Sequence, residues 1–172
     1  MLRSISRIVG ALALGCATLA GPVAAPSAAA SCSVVWGSRM ESDQTIRATA
    51  ATRVRAGRHA CFDRLVIDQR GPVTGYVVRY VDRVRADGSG TVVPVRGGAR
   101  LQVVTRAGGP RALGTPGVRG FSTFRQVRYA GSFEGHTMLA LGVRARLPFR
   151  AFTLPGPTPG RSRLVVDVAH RW

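Results

Sequence analysis

The sequence predicts an all-β chain, a single-domain β-sandwich of short, mostly antiparallel strands. Three observations carry that prediction. Apolar residues recur with a period of two, the mark of strands with one buried face. Clusters of Gly and Pro interrupt these stretches at short intervals. No segment keeps a 3.6-residue period over several turns. About six to nine short strands at such spacing close into a sandwich or a partly open barrel.

Residues 1–30 stand apart as an expected cleavable signal peptide. Arg3 and Arg7 give a positive start, Ile8 to Ala20 an uncharged apolar run, and Ala28-Ala29-Ala30 the small residues a signal peptidase accepts. The run is about thirteen residues, short of the roughly 20 that cross a hydrocarbon core. No stable membrane span is therefore expected, and cleavage is placed after Ala30. Cys16 follows Gly15, as in lipoprotein signals, but Ala13 and Leu14 fit that pattern poorly. A lipid anchor at Cys16 is disfavoured. The expected location is extracytoplasmic: secreted, or held at the cell envelope.

Residues 31–172 have the length of one domain with its own core. They contain two cysteines, Cys32 and Cys61. Outside the cytoplasm such a pair oxidises, so a Cys32–Cys61 disulfide is expected. The absence of a C-x-x-C spacing argues against a redox or catalytic cysteine.

Along the domain, Ser42 or Asp43 could cap a short helical turn, which the β-branched, alternating residues after Thr45 would keep short. Strands are expected at Phe62 to Arg70 and Gly75 to Val84, divided by Gly71-Pro72. In the second, Tyr76, Val78 and Tyr80 share one face, and Val77, Arg79 and Val81 the other. Asp87-Gly88-Ser89-Gly90 supplies a tight reversal. Val92 to Val95 and Ala99 to Thr105 come next, with Pro94 placing the former at an edge or bulge. Ala107 to Gly120 reads as one long surface loop without apolar anchors. Phe124 to Ala130, Thr137 to Arg144, Phe149 to Leu154 and Arg163 to Ala169 complete the strands.

Charge is strongly one-sided. All twenty-five basic residues are arginine against eight acids, for +17. Without Arg3 and Arg7, +15 remains on the domain. The lack of lysine, with abundant Ala, Gly and Val, reflects a GC-rich coding sequence; the scarcity of acids does not follow from that. A field of this sign attracts polyanions such as acidic wall polymers.

Enzymatic chemistry finds few footholds. His59, His136 and His170 are isolated, and Glu134-x-His136 is the nearest thing to a paired ligand set; no metal site is expected. Asp87-Gly88-Ser89-Gly90 lacks the flanks of a serine nucleophile elbow. Most acids adjoin arginines, as in Asp63-Arg64 and Asp82-Arg83, which suits salt bridges better than a catalytic acid. No phosphate-cradling loop or cofactor fingerprint is present, and no cofactor is expected. Tyr76, Arg79 and Tyr80 are the candidate ligand-binding residues, although alternation should aim Arg79 away from the tyrosines. Export would also part the chain from nucleic acid, which is not an expected partner.

The run Gly57-Arg58-His59-Ala60-Cys61-Phe62-Asp63-Arg64-Leu65-Val66 resembles the opening of the AMIN-like domains of exported proteins from GC-rich bacteria. Gly75-Tyr76 with Tyr80-Val81, Asp87-Gly88-Ser89-Gly90, Phe133-Glu134-Gly135 and Arg163-Leu164-Val165-Val166-Asp167-Val168 continue the likeness, which spans about Cys32 to His170. The resemblance implies a β-sandwich related to the AMIN module, which in other proteins brings cell-wall amidases to peptidoglycan while a separate zinc domain cuts. The motif residues His59, Phe62, Asp63, Arg64, Glu134 and Asp167 are expected to serve structure. The implied function is a non-catalytic envelope module binding peptidoglycan or an attached anionic polymer. The rivals are a module that docks on an envelope protein and a small carboxylate-dependent wall hydrolase.

Overall fold

The computed structural model describes Cys32 and residues 34–172. The expected signal peptide, its cleavage after Ala30 and the Cys16 question lie outside the described residues. Nine strands follow in order: β1 (Glu41–Asp43), β2 (Ala50–Arg58), β3 (Phe62–Arg70), β4 (Tyr76–Tyr80), β5 (Ala99–Thr105), β6 (Phe124–Phe133), β7 (His136–Val143), β8 (Phe149–Pro155) and β9 (Arg161–Ala169). They form a five-stranded sheet, β1-β4-β5-β7-β6, and a four-stranded sheet, β2-β3-β9-β8. Every ladder is antiparallel. Among the described residues none is helical. The all-β sandwich is the fold the sequence predicts.

Period-two alternation builds the core. In β3, Leu65 and Ile67 point inward; in β9, Leu164, Val166 and Val168 do. They meet Val78, Leu101, Val103, Leu139 and Leu141 of the other sheet, all fully buried. Polar networks close this apolar layer at both ends. At the Cys61 end, the buried Asp63 carboxylate takes the Thr123 amide and hydroxyl, both at 2.6 Å. At the Arg70 end, Gln69 donates to Thr105 Oγ1 at 2.6 Å and accepts from Ser162 Oγ at 3.1 Å. Each network ties one sheet to the other.

Four local expectations are corrected. The expected helical turn at Ser42–Asp43 is instead strand β1, and the capping chemistry goes into an Asx turn, Thr45 N donating to Asp43 Oδ1 at 2.8 Å. The strand expected from Gly75 to Val84 ends at Tyr80. Val92 to Val95 makes only one bridge, Arg85 with Val92, because Val93 and Val95 serve another surface. Val84 and Val95 pack on Ala130, Met138 and Ala140, so residues 81–98 form a cover over the outer face of the five-stranded sheet. Finally, the 107–120 loop is anchored: Ala107, Leu113 and Val118 are buried in the main core. The loop is therefore held to the core and is not the unanchored segment its composition suggests.

The disulfide joins Cys32 to Cys61. It straps the N-terminal segment across the four-stranded sheet, where Gly37 O accepts from Phe149 N at 2.8 Å. Serine at both cysteines is expected to cost about 3–4 kcal/mol in urea unfolding, the loop-entropy value for a separation near thirty residues. Trp36 emission should shift in the native state as the strap loosens. A loss under 1 kcal/mol would mean that the unfolded chain is already constrained there.

Candidate binding face on the four-stranded sheet

Among the described residues, one outer face is closed and the other is not. The cover at 81–98 occupies the outside of the five-stranded sheet, whereas the described residues place only the strap at Trp36 on the four-stranded sheet. Strand register sets what this open face displays, since directly paired residues share a side. At the Cys61 end, Asp167 lies between Arg64 on β3 and Arg150 on β8. Next comes a row of Arg55, Val66, Val165 and Phe152. Then Asp68 lies between Arg53 on β2 and Arg163 on β9, and Arg70 opposes Arg161 at the far edge. Seven arginines thus face two aspartates, a surplus of five positive charges on one sheet face.

The Asp167 cluster is the ordered heart of this face. Arg64 grips its carboxylate with two bonds of 2.7 and 2.9 Å, and Arg150 adds one of 2.9 Å. Asp167 is fully buried although it lies on the outside of the sheet, because guanidiniums and rings roof it. The Arg150 guanidinium lies 4.4 Å from the Trp36 ring centre and 5.1 Å from that of Phe152. Arg64 lies 5.2 Å from Phe62, on which His59 stacks at 4.4 Å. Planar cations held over rings and fixed by a shared carboxylate are pre-organised, so little side-chain entropy remains to be lost on binding. Hydrogen bonding to Asp167 also raises the Arg64 pKa, which keeps the guanidinium charged.

The expected ligand candidates lie elsewhere. Tyr76 is buried between the sheets and its hydroxyl donates to Ala151 O at 2.6 Å. Tyr80 packs edge-on against Phe149, donates to Leu147 O at 2.8 Å and accepts from Leu147 N at 3.0 Å. Both tyrosines stitch β4 to the opposite sheet and present no common surface. Arg79 points outward from β4, its Nε donating to Gln102 Oε1 at 2.9 Å. The three residues are not brought together.

The motif residues divide by direction. Phe62, Arg64 and Asp167 belong to the open face, with His59 stacked beside them. Asp63 points inward; burial pushes its carboxyl up, but hydrogen bonds from Thr123, Phe124 and His170 outweigh that and hold it below the usual 3.8. Glu134 sits in the β6–β7 turn with φ of 47°. His136 begins β7 beside it, while His59 and His170 lie at the opposite end of the sandwich. Among the described residues no three His, Cys, Asp or Glu gather as metal ligands.

Sequence reading missed Trp36, Arg150, Phe152 and the Arg53, Arg161 and Arg163 group. The spacing of Arg53 with Arg55 and of Arg161 with Arg163 was the available signal, since residues two apart in a strand share a face. No curated protein and no solved structure is significantly similar to this chain. The family model for the AMIN-like domain matches residues 49–170, from just before β2 to just after β9. That span holds eight of the nine strands and all of the open face except Trp36, and the chain belongs to the AMIN-like domain family.

Proposed function

We propose that this protein is an exported, non-catalytic module that binds the cell wall through the outer face of its four-stranded sheet. Peptidoglycan, or an anionic polymer attached to it, is the ligand. The observation that carries the reading is the uncovered face, on which guanidiniums and aromatic rings lie side by side. Rings and flat guanidinium planes suit the faces of sugars, and the surplus charge suits acidic groups. The signal-like N-terminus and the kinship with wall-targeting modules support the location.

Co-sedimentation with purified wall sacculi tests this. The protein should pellet with sacculi and release no soluble fragments. Retention should weaken between 0.1 and 1 M salt, as the screening length falls from about 10 to about 3 Å. Arg150→Ala leaves Asp167 paired with Arg64 and should weaken retention about tenfold, a hot-spot effect of roughly 1.4 kcal/mol. Absence from the pellet at every salt would point instead to an envelope protein as partner. Release of fragments would restore the hydrolase.

A further inference from the structure

The Arg70 end of this face gathers charge that the fold does not neutralise. Arg70 and Arg161 are direct cross-strand partners, a like-charge pairing that opposes folding. One row inward, Arg53 and Arg163 flank Asp68, but Arg55 already holds that carboxylate with bonds of 2.6 and 2.8 Å. Among the described residues Arg53, Arg161 and Arg163 have no ion-pair partner. Arg163 donates through Nη2 to Pro155 O at 3.2 Å, while its Nε is buried with no acceptor. A buried N–H without a partner is costly, which adds to the strain of holding these arginines together. All three arginines line one cleft of about 500 Å³ with Thr52 and Thr158. A neighbouring cleft also gathers arginines: Arg47, Arg70 and Arg106 line it beside one acid, Glu134, and among the described residues Arg106 Nε is again buried and unpartnered.

We propose that Arg53, Arg161 and Arg163 form a phosphate-binding site, and that the natural ligand is a phosphate-bearing anionic polymer. A carboxylate offers two coplanar oxygens, which one arginine fork can satisfy. A tetrahedral phosphate group offers oxygens in several directions and can engage guanidiniums from two strands and the nearby hydroxyls together. The second arginine cleft lets a polymer with repeating charges engage both. The site needs the wall-binding reading only for the source of its phosphate.

The probe is tripolyphosphate, titrated calorimetrically into the purified protein at 0.1 M salt. Saturable binding is expected, at least tenfold weaker in Arg161→Gln/Arg163→Gln. Arg83→Gln/Arg111→Gln, two exposed arginines elsewhere with the same change in net charge, should alter it less than twofold. Arg163→Lys, which keeps the charge and loses the fork, should weaken it at least threefold and covers the case of a poorly folded double variant. Without probe, Arg161→Gln/Arg163→Gln should melt no lower than the parent, because the opposed arginines are relieved. Equal losses in the two double variants, or no saturable binding, would falsify the site. Sedimentation with phosphate-stripped sacculi separates the two proposals. Wall binding without tripolyphosphate binding sinks the phosphate site alone, and the reverse keeps the site while sinking the wall reading.

Discussion

Replacing Asp63 by alanine is expected to destabilise the protein by about 4 kcal/mol. Its Oδ2 accepts from Thr123 N at 2.6 Å, Thr123 Oγ1 at 2.6 Å and Phe124 N at 3.2 Å, and Oδ1 lies 3.2 Å from His170 Nε2. Asp63, Thr123 and Phe124 are all buried. Alanine would strand two backbone amides and a hydroxyl, each at about 1–3 kcal/mol, with relaxation keeping the total below their sum. Asparagine keeps one acceptor oxygen and should cost about 2 kcal/mol. The folded-state pKa of Asp63 is depressed, so its contribution is complete above the unfolded value near 3.9 and is lost as pH falls through the lower folded value. Asp63→Asn should therefore flatten the stability curve below about pH 4. Urea titrations at pH 7 and pH 3 measure both effects. A loss under 1 kcal/mol for the alanine variant would show that β3 and β6 are joined by other contacts.

The strands that the sequence revealed are those whose inward positions are filled by large apolar side chains. Leu65 with Ile67, Leu101 with Val103, and Leu164 with Val166 lie in stretches that the sequence places as strands. Strand β2 escaped because its inward residues, Ala51, Val54 and Ala56, are small, and a bulge between Ala51 and Arg53 breaks their period. The cover at 81–98 escaped for the opposite reason. Val92, Val93 and Val95 carry a strand's composition, but Pro94 denies the ladder a donor, and Val93 and Val95 pack on the back of the five-stranded sheet while Val92 is exposed. In the 107–120 loop, three apolar residues, Ala107, Leu113 and Val118, hold the chain among many Gly and Pro, too few for composition to register.

The site was less legible than the fold. Asp68 flanked by Arg53 and Arg163, and Asp167 flanked by Arg64 and Arg150, are neighbours only through cross-strand register, over as many as 103 residues of chain. In the sequence Asp63-Arg64 looks like an ion pair, yet successive residues in a strand face opposite ways. Asp63 enters the core to hold the other sheet, and Arg64 goes outward to Asp167. Adjacency suggested the wrong partner, and alternation alone contained the correction. The same rule turned Tyr76 and Tyr80 from ligand candidates into inter-sheet stitches.

Gly142→Ala should release the cover and leave the binding face intact. Gly142 lies in β7 on the outer side of the five-stranded sheet, where a Cβ would stand 1.8 Å from Arg96 O and 3.0 Å from a Val95 methyl. The first of these is backbone, so no rotamer change relieves it; the segment must retreat by more than 1 Å. Retreat unseats Val84 and Val95 from Ala130, Met138 and Ala140 and stretches the Arg96 N bond to Gln126 Oε1, now 2.9 Å. Such overpacking costs about 3 kcal/mol. If local opening then controls cleavage, trypsin should cut at Arg83, Arg85 or Arg96 at least tenfold faster, since about 1.4 kcal/mol is a factor of ten in the open population. Unchanged cleavage would mean that the sheet, not the cover, gives way. Retention on sacculi should stay near that of the parent, because the arginine rows lie on the other sheet, separated from the cover by the whole core. Were retention lost while Asp63 and its partners still hold the sandwich together, the covered side, and not the open face, would be where this protein meets the wall.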